Sequence, residues 1–426
     1  METMFFNVRR PRKKDNKLSI KDVFYKFGML DLSVILYLVS IVFADGTILF
    51  YTSTVFFILC FLMKRGMPHV NKPFVALSSL FVIYSFLQIF LGFAEYPLTS
   101  LNRLFVVSLN YVICILLIDY LDSHINRMKF AYSFVIVMFF FFFYSIVLNA
   151  SDLFSGRFGD NTRYLFGLSG VNGDFMNSNN VGRNCYMGIL FVTVLYSSNK
   201  RNLFLSVMLS IVFLLFLILS GSRGALIVGL GFLLLLFITS SDSFIKSVRN
   251  IILVFAICLI VLLALTRIDF LNQIIGKRIE TLFTGTFYNI DYVASSDGNS
   301  AYYRQLMIQE GLEAFAKKPI LGWGLFAYSQ MDTIGTYTHC NFVEILVSSG
   351  TIGFALYYLP LLYIVSKSFF GMKKAKKNRL IYCIIFSFII IKIVANFFDV
   401  DYVSRTALLG FYYLASFLNE NKKRTL

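Results

Sequence analysis

Histidine, tryptophan and charge are scarce in this sequence. Its 426 residues include 3 His and 1 Trp. No HxH or HExxH spacing occurs, so there is no zinc-site signal. The 6 Cys show no CxxC spacing, and Cys60, Cys114, Cys258 and Cys383 lie in apolar runs, where they read as small buried hydrophobes. Charged residues make up only 15% of the chain, against roughly 25% in soluble domains. Hydrophobic residues reach 58%, with 49 Phe and 25 Tyr. Bulky apolar side chains all round a helix need lipid or a large core. A single soluble core stops growing near ~250–300 residues, so a soluble chain of this length would divide at polar linkers. Here the apolar runs recur from end to end instead.

The net charge of +16 raises the question of nucleic acid. That function needs basic residues gathered on one solvated surface. In this chain they fall in short bursts between apolar runs, the pattern of membrane loops, and no nucleic-acid partner is expected. Residues 1–27 read as a basic cytoplasmic tail. They are followed by an apolar run without a small-residue cleavage pattern, which does not fit a removable signal peptide.

A spanning helix needs ~20 mostly apolar residues. Runs of this kind cover 28–44, 47–63, 74–92, 103–121, 131–149, 184–198, 203–220, 224–240, 250–267, 341–366, 380–397 and 402–418. The fold class predicted is an all-α polytopic membrane protein with about 12 transmembrane helices. With the N-terminus inside, the inner segments carry RRPRKK, KRGMPHVNK, HINRMK, NKR, KSVR, KKAKKNR and NKKR. They hold about 26 of the 39 Lys and Arg, which satisfies the positive-inside rule. Both termini are then cytoplasmic, with 419–426 as the second tail. Helices one to nine occupy 28–267 and helices ten to twelve 340–418. Two outer segments are long, 150–183 and 268–339. The second is a large extracytoplasmic loop between the ninth and tenth helices, and long loops are where chemistry is expected. Within it, 300–318 reads as an amphipathic helix with Tyr303, Met307, Leu312 and Phe315 on its apolar face, ended by Pro319 and the glycines of LGWG.

The two sides differ in their cation. Inner loops carry roughly two Lys to one Arg. The outer side carries Arg103, Arg157, Arg163, Arg183, Arg223, Arg267, Arg278, Arg304 and Arg405, against Lys277, Lys317, Lys318 and Lys392. Arginine grips phosphate through a planar fork, so the excess points to an outward-facing phosphate or pyrophosphate. Arg103, Arg157 and Arg163 fit equally well as solvated loop residues.

Several strings could carry the site. SGSRGALI (220–227) joins two helices through small residues that admit close approach, and its Arg223 heads a helix whose amides favour an anion. Alone, it is also a tight turn with a snorkelling arginine. His339 is the only histidine on the outer side, at the entry to a helix with Glu344 deeper in. An imidazole there can take a proton from a hydroxyl, or serve simply as a loop or cap residue. Asp399-Val400-Asp401 has the spacing of a metal-binding pair but reads as a polar loop with Arg405 as partner, and no metal is expected. Lys392 lies in an apolar run, with Asp399 as a candidate partner. Arg183, after the polar stretch GVNGDFMNSNNVGR, reads either as lining an acceptor path or as a loop residue.

SGSRGALI, then Tyr303-Arg304 through Pro319-Ile320-Leu321-Gly322-Trp323-Gly324, then His339 with Glu344 and Gly350, follow one another in an order that resembles the O-antigen ligase and Wzy-type polysaccharide polymerase superfamily. The resemblance covers about 205–370. It implies that Arg223 and Arg304 bind the diphosphate of an undecaprenyl-pyrophosphate-linked glycan, and that His339 activates the acceptor hydroxyl. Arg183, Arg278, Arg405 and Glu344 are the further substrate-binding candidates. In the family Asn usually follows the His directly, whereas Cys340 intervenes here before Asn341. The expected function is a repeat-unit polymerase of O-antigen or capsule in the bacterial inner membrane, inverting and metal-independent, without a cofactor. The preference over the ligase rests on the likeness of HCNFVEILVSSGTIGFALYY to polymerases. The alternatives are a ligase that transfers glycan to lipid A core and a flippase of lipid-linked oligosaccharide. Membrane lipid, a chain-length regulator and a flippase are the partners such a polymerase implies.

Overall fold

A computed structural model describes residues 27–43, 47–68, 72–148, 178–198, 203–220, 222–241, 243–268, 296–331, 335–375 and 378–418. Both tails, most of the 150–183 loop, Arg157, Arg163 and Arg278 lie outside the described residues. No strand occurs among the described residues. The helices are α1 (Met29–Phe43), α2 (Ile48–Arg65), α3 (Pro73–Phe90), α4 (Pro97–Tyr120), α5 (His124–Leu148), α6 (Ser178–Ser198), α7 (Leu203–Leu219), α8 (Arg223–Thr239), α9 (Phe244–Arg267), α10 (Ser296–Lys317), α11 (Tyr328–Met331), α12 (Asn341–Lys374), α13 (Arg379–Ala395) and α14 (Arg405–Ala415).

Each apolar run falls on one helix, and the expected amphipathic stretch is α10. Five helices, α2, α3, α4, α5 and α12, are long and apolar enough to cross a membrane. Helices α1, α7 and α8 are apolar but shorter. The rest carry polar termini, as in α6, or are short, as in α14 with 11 residues. Starts shift where a helix gains a polar first turn. Thus α4 begins at Pro97 rather than 103, since proline at a first helical position loses no needed hydrogen bond.

Phenylalanine fills the interior and also coats the outside. Phe142 and Phe216 stack at 3.7 Å, and Phe130, Phe134, Phe191 and Tyr413 interlock nearby. Yet Phe105, Phe143 and Phe204 are 67%, 69% and 76% exposed, on faces that water would not tolerate at this density. Polar side chains gather at the helix ends. At one end Lys129 pairs with Asp31 at 2.9 Å and Arg65 with Asp119 at 3.2 Å. Arg379 donates to the carbonyls of Thr239, Ser240 and Ser241, satisfying the C-terminus of α8.

Helix α12 is broken at Gly350 (φ 63°, ψ −169°). The break frees backbone groups that would be costly in an apolar surround. Residues 319–324 supply the partners. Trp323 and Gly324 amides donate to the Val347 and Ser348 carbonyls at 2.9 and 2.8 Å, while the Thr351 amide donates to Pro319 O at 2.9 Å. From α3, the Tyr84 hydroxyl and the Gln88 amide donate to carbonyls of both strands of this contact: Leu321 with Ser349, and Leu321 with Ser348. The segment ending in LGWG is therefore bolted to α12.

That bolt seats α10 on α12. A Cβ on Gly311 would lie 2.5 Å from Val343 Cγ1, so α10 lies flush against the first turns of α12. Trp323 Nε1 donates to Ala314 O at 2.8 Å. The buried face of α10 keeps two of the four predicted residues, Met307 and Phe315, and gains Ala314. Met307 is buried, with Ala314 and Phe315 packed beside it, whereas Tyr303 and Leu312 are about half exposed. Small residues let the helices meet closely and contribute little hydropathy, so the sequence pattern underweights this face.

Candidate active site

His339 sits in a short, strained turn that leads into α12. Its φ is 55°, a left-handed value that costs a residue with a Cβ about 1–3 kcal/mol. Neighbouring groups hold it there. The Thr338 amide donates to Glu344 Oε2 at 3.0 Å, and Thr338 Oγ1 donates to Cys340 O at 2.9 Å. Glu344 is fully buried and reaches back from the first turn of α12 as a cap of the turn.

Asn341 ties the same turn to the loop after α13. Its amide donates to Asn396 O at 2.8 Å, and its Oδ1 accepts from the Asp401 and Tyr402 amides at 3.0 and 3.2 Å. Its Nδ2 donates to the Tyr358 hydroxyl, which Asn396 also reaches. A buried amide with all these partners fixes the two loops against each other.

The imidazole of His339 lies 4.3 Å from the Tyr337 ring. Burial, with the Arg304 guanidinium close by, pushes its pKa down to about 4. It is neutral at physiological pH, the form that can accept a proton. Arg304 reaches this position from α10, which the bolt has seated beside α12.

A cavity of 220 Å³ opens next to Tyr337. Three arginines line it from three elements, Arg103 on α4, Arg183 on α6 and Arg405 at the start of α14. Phe326 and Tyr337 form its aromatic side. Arg103 lies 3.7 Å above the Phe326 ring, and Arg405 lies 4.0 Å above Phe50. Phe326, like His339, has a positive φ (62°).

Arg183 is held through both oxygens of Asp399, with Nε at 3.1 Å from Oδ2 and the far amino group on Oδ1. Burial works against ionisation of Asp399, but Arg183 and Lys392 outweigh it and hold the carboxyl below the usual range. Lys392, fully buried, pairs with Asp401 Oδ1 at 2.9 Å and donates to the Tyr186 hydroxyl at 3.1 Å. Both acids of the Asp-Val-Asp string therefore face cations. Asp399 pairs with Arg183, which the sequence did not indicate, and with the expected Lys392 at 3.7 Å. Among the described residues, no group of three His, Cys, Asp or Glu is placed to hold a metal ion.

Arg223 opens α8, with Ser222 as N-cap accepting from the Ala225 amide. Ser222 Oγ donates to Asn179 Oδ1 at 2.8 Å. A Cβ on Gly182 would collide with Ala225 and Ser222, so this turn packs directly on the one that presents Arg183. A Cβ on Gly224 would lie 3.1 Å from Phe398, beside Asp399. The turn of Arg223 thus belongs to the same end of the bundle as Arg183 and the 396–404 loop. The Arg304 charge bears on His339. Glu344 supports the His339 turn through Thr338.

Sequence reasoning left Arg103 open and gave no signal for Phe326, Tyr337 or the clamp made by Asn341. Only the abundance of outer arginines hinted at Arg103.

Residues 207–358 match the family model described as O-antigen ligase. The match runs from α7 into α12 and contains Arg223, Arg304, His339, Glu344 and Gly350. Arg103, Arg183, Lys392, Asp399 and Arg405 fall outside it. No curated protein matches the chain.

Proposed function

We propose, from the O-antigen ligase superfamily domain that spans α7 to α12, that this protein is a multi-pass inner-membrane glycosyltransferase using an undecaprenyl-pyrophosphate-linked glycan as donor. The twelve apolar helices cross the bilayer, and the arginine-lined end faces outward. The observation that carries the reading is His339, kept neutral by burial and the Arg304 charge, and set 4.3 Å from Tyr337, which lines a cavity with three further arginines.

Arg304, Arg223 and the cavity arginines hold the diphosphate. They stabilise the negative charge that builds on it as the bond between sugar C1 and phosphate oxygen breaks. The acceptor hydroxyl attacks C1 from the opposite face and passes its proton to His339. The anomeric centre inverts, and undecaprenyl pyrophosphate leaves. Glu344 acts through Thr338 to keep the imidazole in place.

The acceptor in the favoured reading is a second lipid-linked repeat unit, which makes the protein a polymerase of O-antigen or capsule. The ligase reading, with lipid A core as acceptor, draws support from the description of the matching family. The deciding experiment incubates purified protein with a lipid-linked repeat unit, with and without lipid A core. Ladders without core support the polymerase, and transfer only to core supports the ligase. An unchanged substrate in both mixtures rejects the enzyme.

A further inference from the structure

Arg183 lines the cavity, yet a carboxylate already occupies its fork. Asp399 takes Nε and the far amino group, and the remaining amino group donates to Asn180 Oδ1 at 2.9 Å. Asp399 does not itself line the cavity, but an acid on the fork of a lining arginine competes with an anionic ligand for the same donors. Behind Asp399 stands Lys392, with no exposed surface. Its Nζ is 3.7 Å from Asp399 Oδ2 and 2.9 Å from Asp401 Oδ1. Two cations and two carboxylates form a quartet of balanced formal charge, with Lys392 and Asp401 fully buried and Arg183 and Asp399 partly exposed.

The backbone of this loop is fixed independently of the ion pair. Asn341 binds the Asp399 carbonyl and the Asp401 amide, and the Val400 amide donates to Asp399 Oδ1 at 3.0 Å. The Asp399 side chain can therefore lose Arg183 and keep both a backbone donor and a nearby ammonium. Arg183 itself lines the cavity.

Resting on the reading that this cavity takes a lipid-linked diphosphate, we propose that Asp399 is a displaceable stand-in for that ligand, with Lys392 as its reserve counter-ion. When the diphosphate enters, Arg183 moves its fork from Asp399 to a phosphate, and Lys392 takes over Asp399. No covalent bond changes. The acid keeps Arg183 oriented in the empty site, where a lone buried cation would be costly. It also weakens the hold on the diphosphate, so that the polyprenyl pyrophosphate product departs. Asp399 and Lys392 are positioning residues, acting through Arg183.

The test uses full-length protein in detergent and two probes, inorganic pyrophosphate and farnesyl pyrophosphate. Asp399→Asn keeps the side-chain volume and should lower the dissociation constant about ten-fold, because Arg183 no longer has a charged rival. It should also slow turnover under multiple-turnover conditions through slow product release. Lys392→Met/Asp401→Asn removes the reserve cation without stranding a charge. It should raise the dissociation constant, since Asp399 then depends on Arg183 alone. Opposite signs in the two variants support the exchange, because a merely structural role would weaken binding in both. Tightening by Asp399→Asn for farnesyl pyrophosphate alone supports it with the lipid-linked ligand as the source. Wild-type binding that Asp399→Asn leaves equal or weaker overturns the exchange while the diphosphate reading stands. No binding by wild type or Asp399→Asn overturns both.

Discussion

Gly322 and Gly350 meet backbone to backbone. A Cβ on Gly322 would lie 2.5 Å from the Gly350 amide nitrogen, and a Cβ on Gly350 would lie 2.2 Å from Ile320 O. Both residues also have positive φ, 74° and 63°. Contact and conformation each exclude a side chain here. Gly350→Ala should destabilise the protein by more than about 1 kcal/mol. It should reduce transfer at least ten-fold although no arginine or histidine is changed, because α10 loses its seat and Arg304 its place beside His339. Thermal unfolding in detergent and turnover with a lipid-linked donor check both numbers.

His339 should show its basic form far into acid. Burial and Arg304 oppose protonation and bring its pKa to about 4. The acid limb of kcat/KM, which reports the free enzyme, should therefore fall near pH 4 rather than 6.5. Arg304→Gln removes a neighbouring positive charge, makes protonation easier and should move the limb to higher pH. His339→Gln should lower kcat by about 10²–10⁴ with donor binding retained. A pH–rate profile of the three proteins is the measurement.

Arg223→Ala and Arg304→Ala should each cost about 10²–10³ in transfer rate, as expected when one donor to a developing oxyanion is lost. Both proteins should still insert and elute as the wild type does on size exclusion. Arg223→Lys keeps the charge and loses the fork, so it should recover only part of the rate.

Glu344→Gln keeps an oxygen for the Thr338 amide and should be mild. Glu344→Ala leaves that buried amide unsatisfied, a cost of about 1–3 kcal/mol. Its effect should appear mainly in kcat, through a displaced His339 turn. Comparing kcat and KM of the two variants separates support of the turn from contact with the donor.

Hydropathy made the all-helical fold and its five long apolar helices legible, since a run of bulky apolar residues specifies helix and surround together. The break in α12 was not legible, because a glycine in such a run reads as a tolerated helical residue until the loop that fills the gap is seen. The order of Arg223, Arg304 and His339 suggested a site, and Arg304 on α10 lies near enough to bear on the charge of His339 at the head of α12. The Arg183–Asp399 pair spans 216 positions, and nothing local in either neighbourhood indicates it. Lys392, seven residues from Asp399, was the local partner that could be read, and it lies 3.7 Å away. Phe326 carried no sequence signal, because its role follows from a backbone angle and from the arginine above it.

Because the carbonyls of residues 319–321 and the amides of 323–324 find their partners in α12 and α3, the stretch from α10 to Gly324 draws its shape from those neighbours. Cut out and expressed as a soluble antigen, it would present those groups to water and hold α10 in no fixed pose. Antibodies or small-molecule screens raised against such a fragment would address a surface that the intact protein never displays. Inhibitor discovery against this protein therefore calls for the whole chain in detergent or nanodiscs.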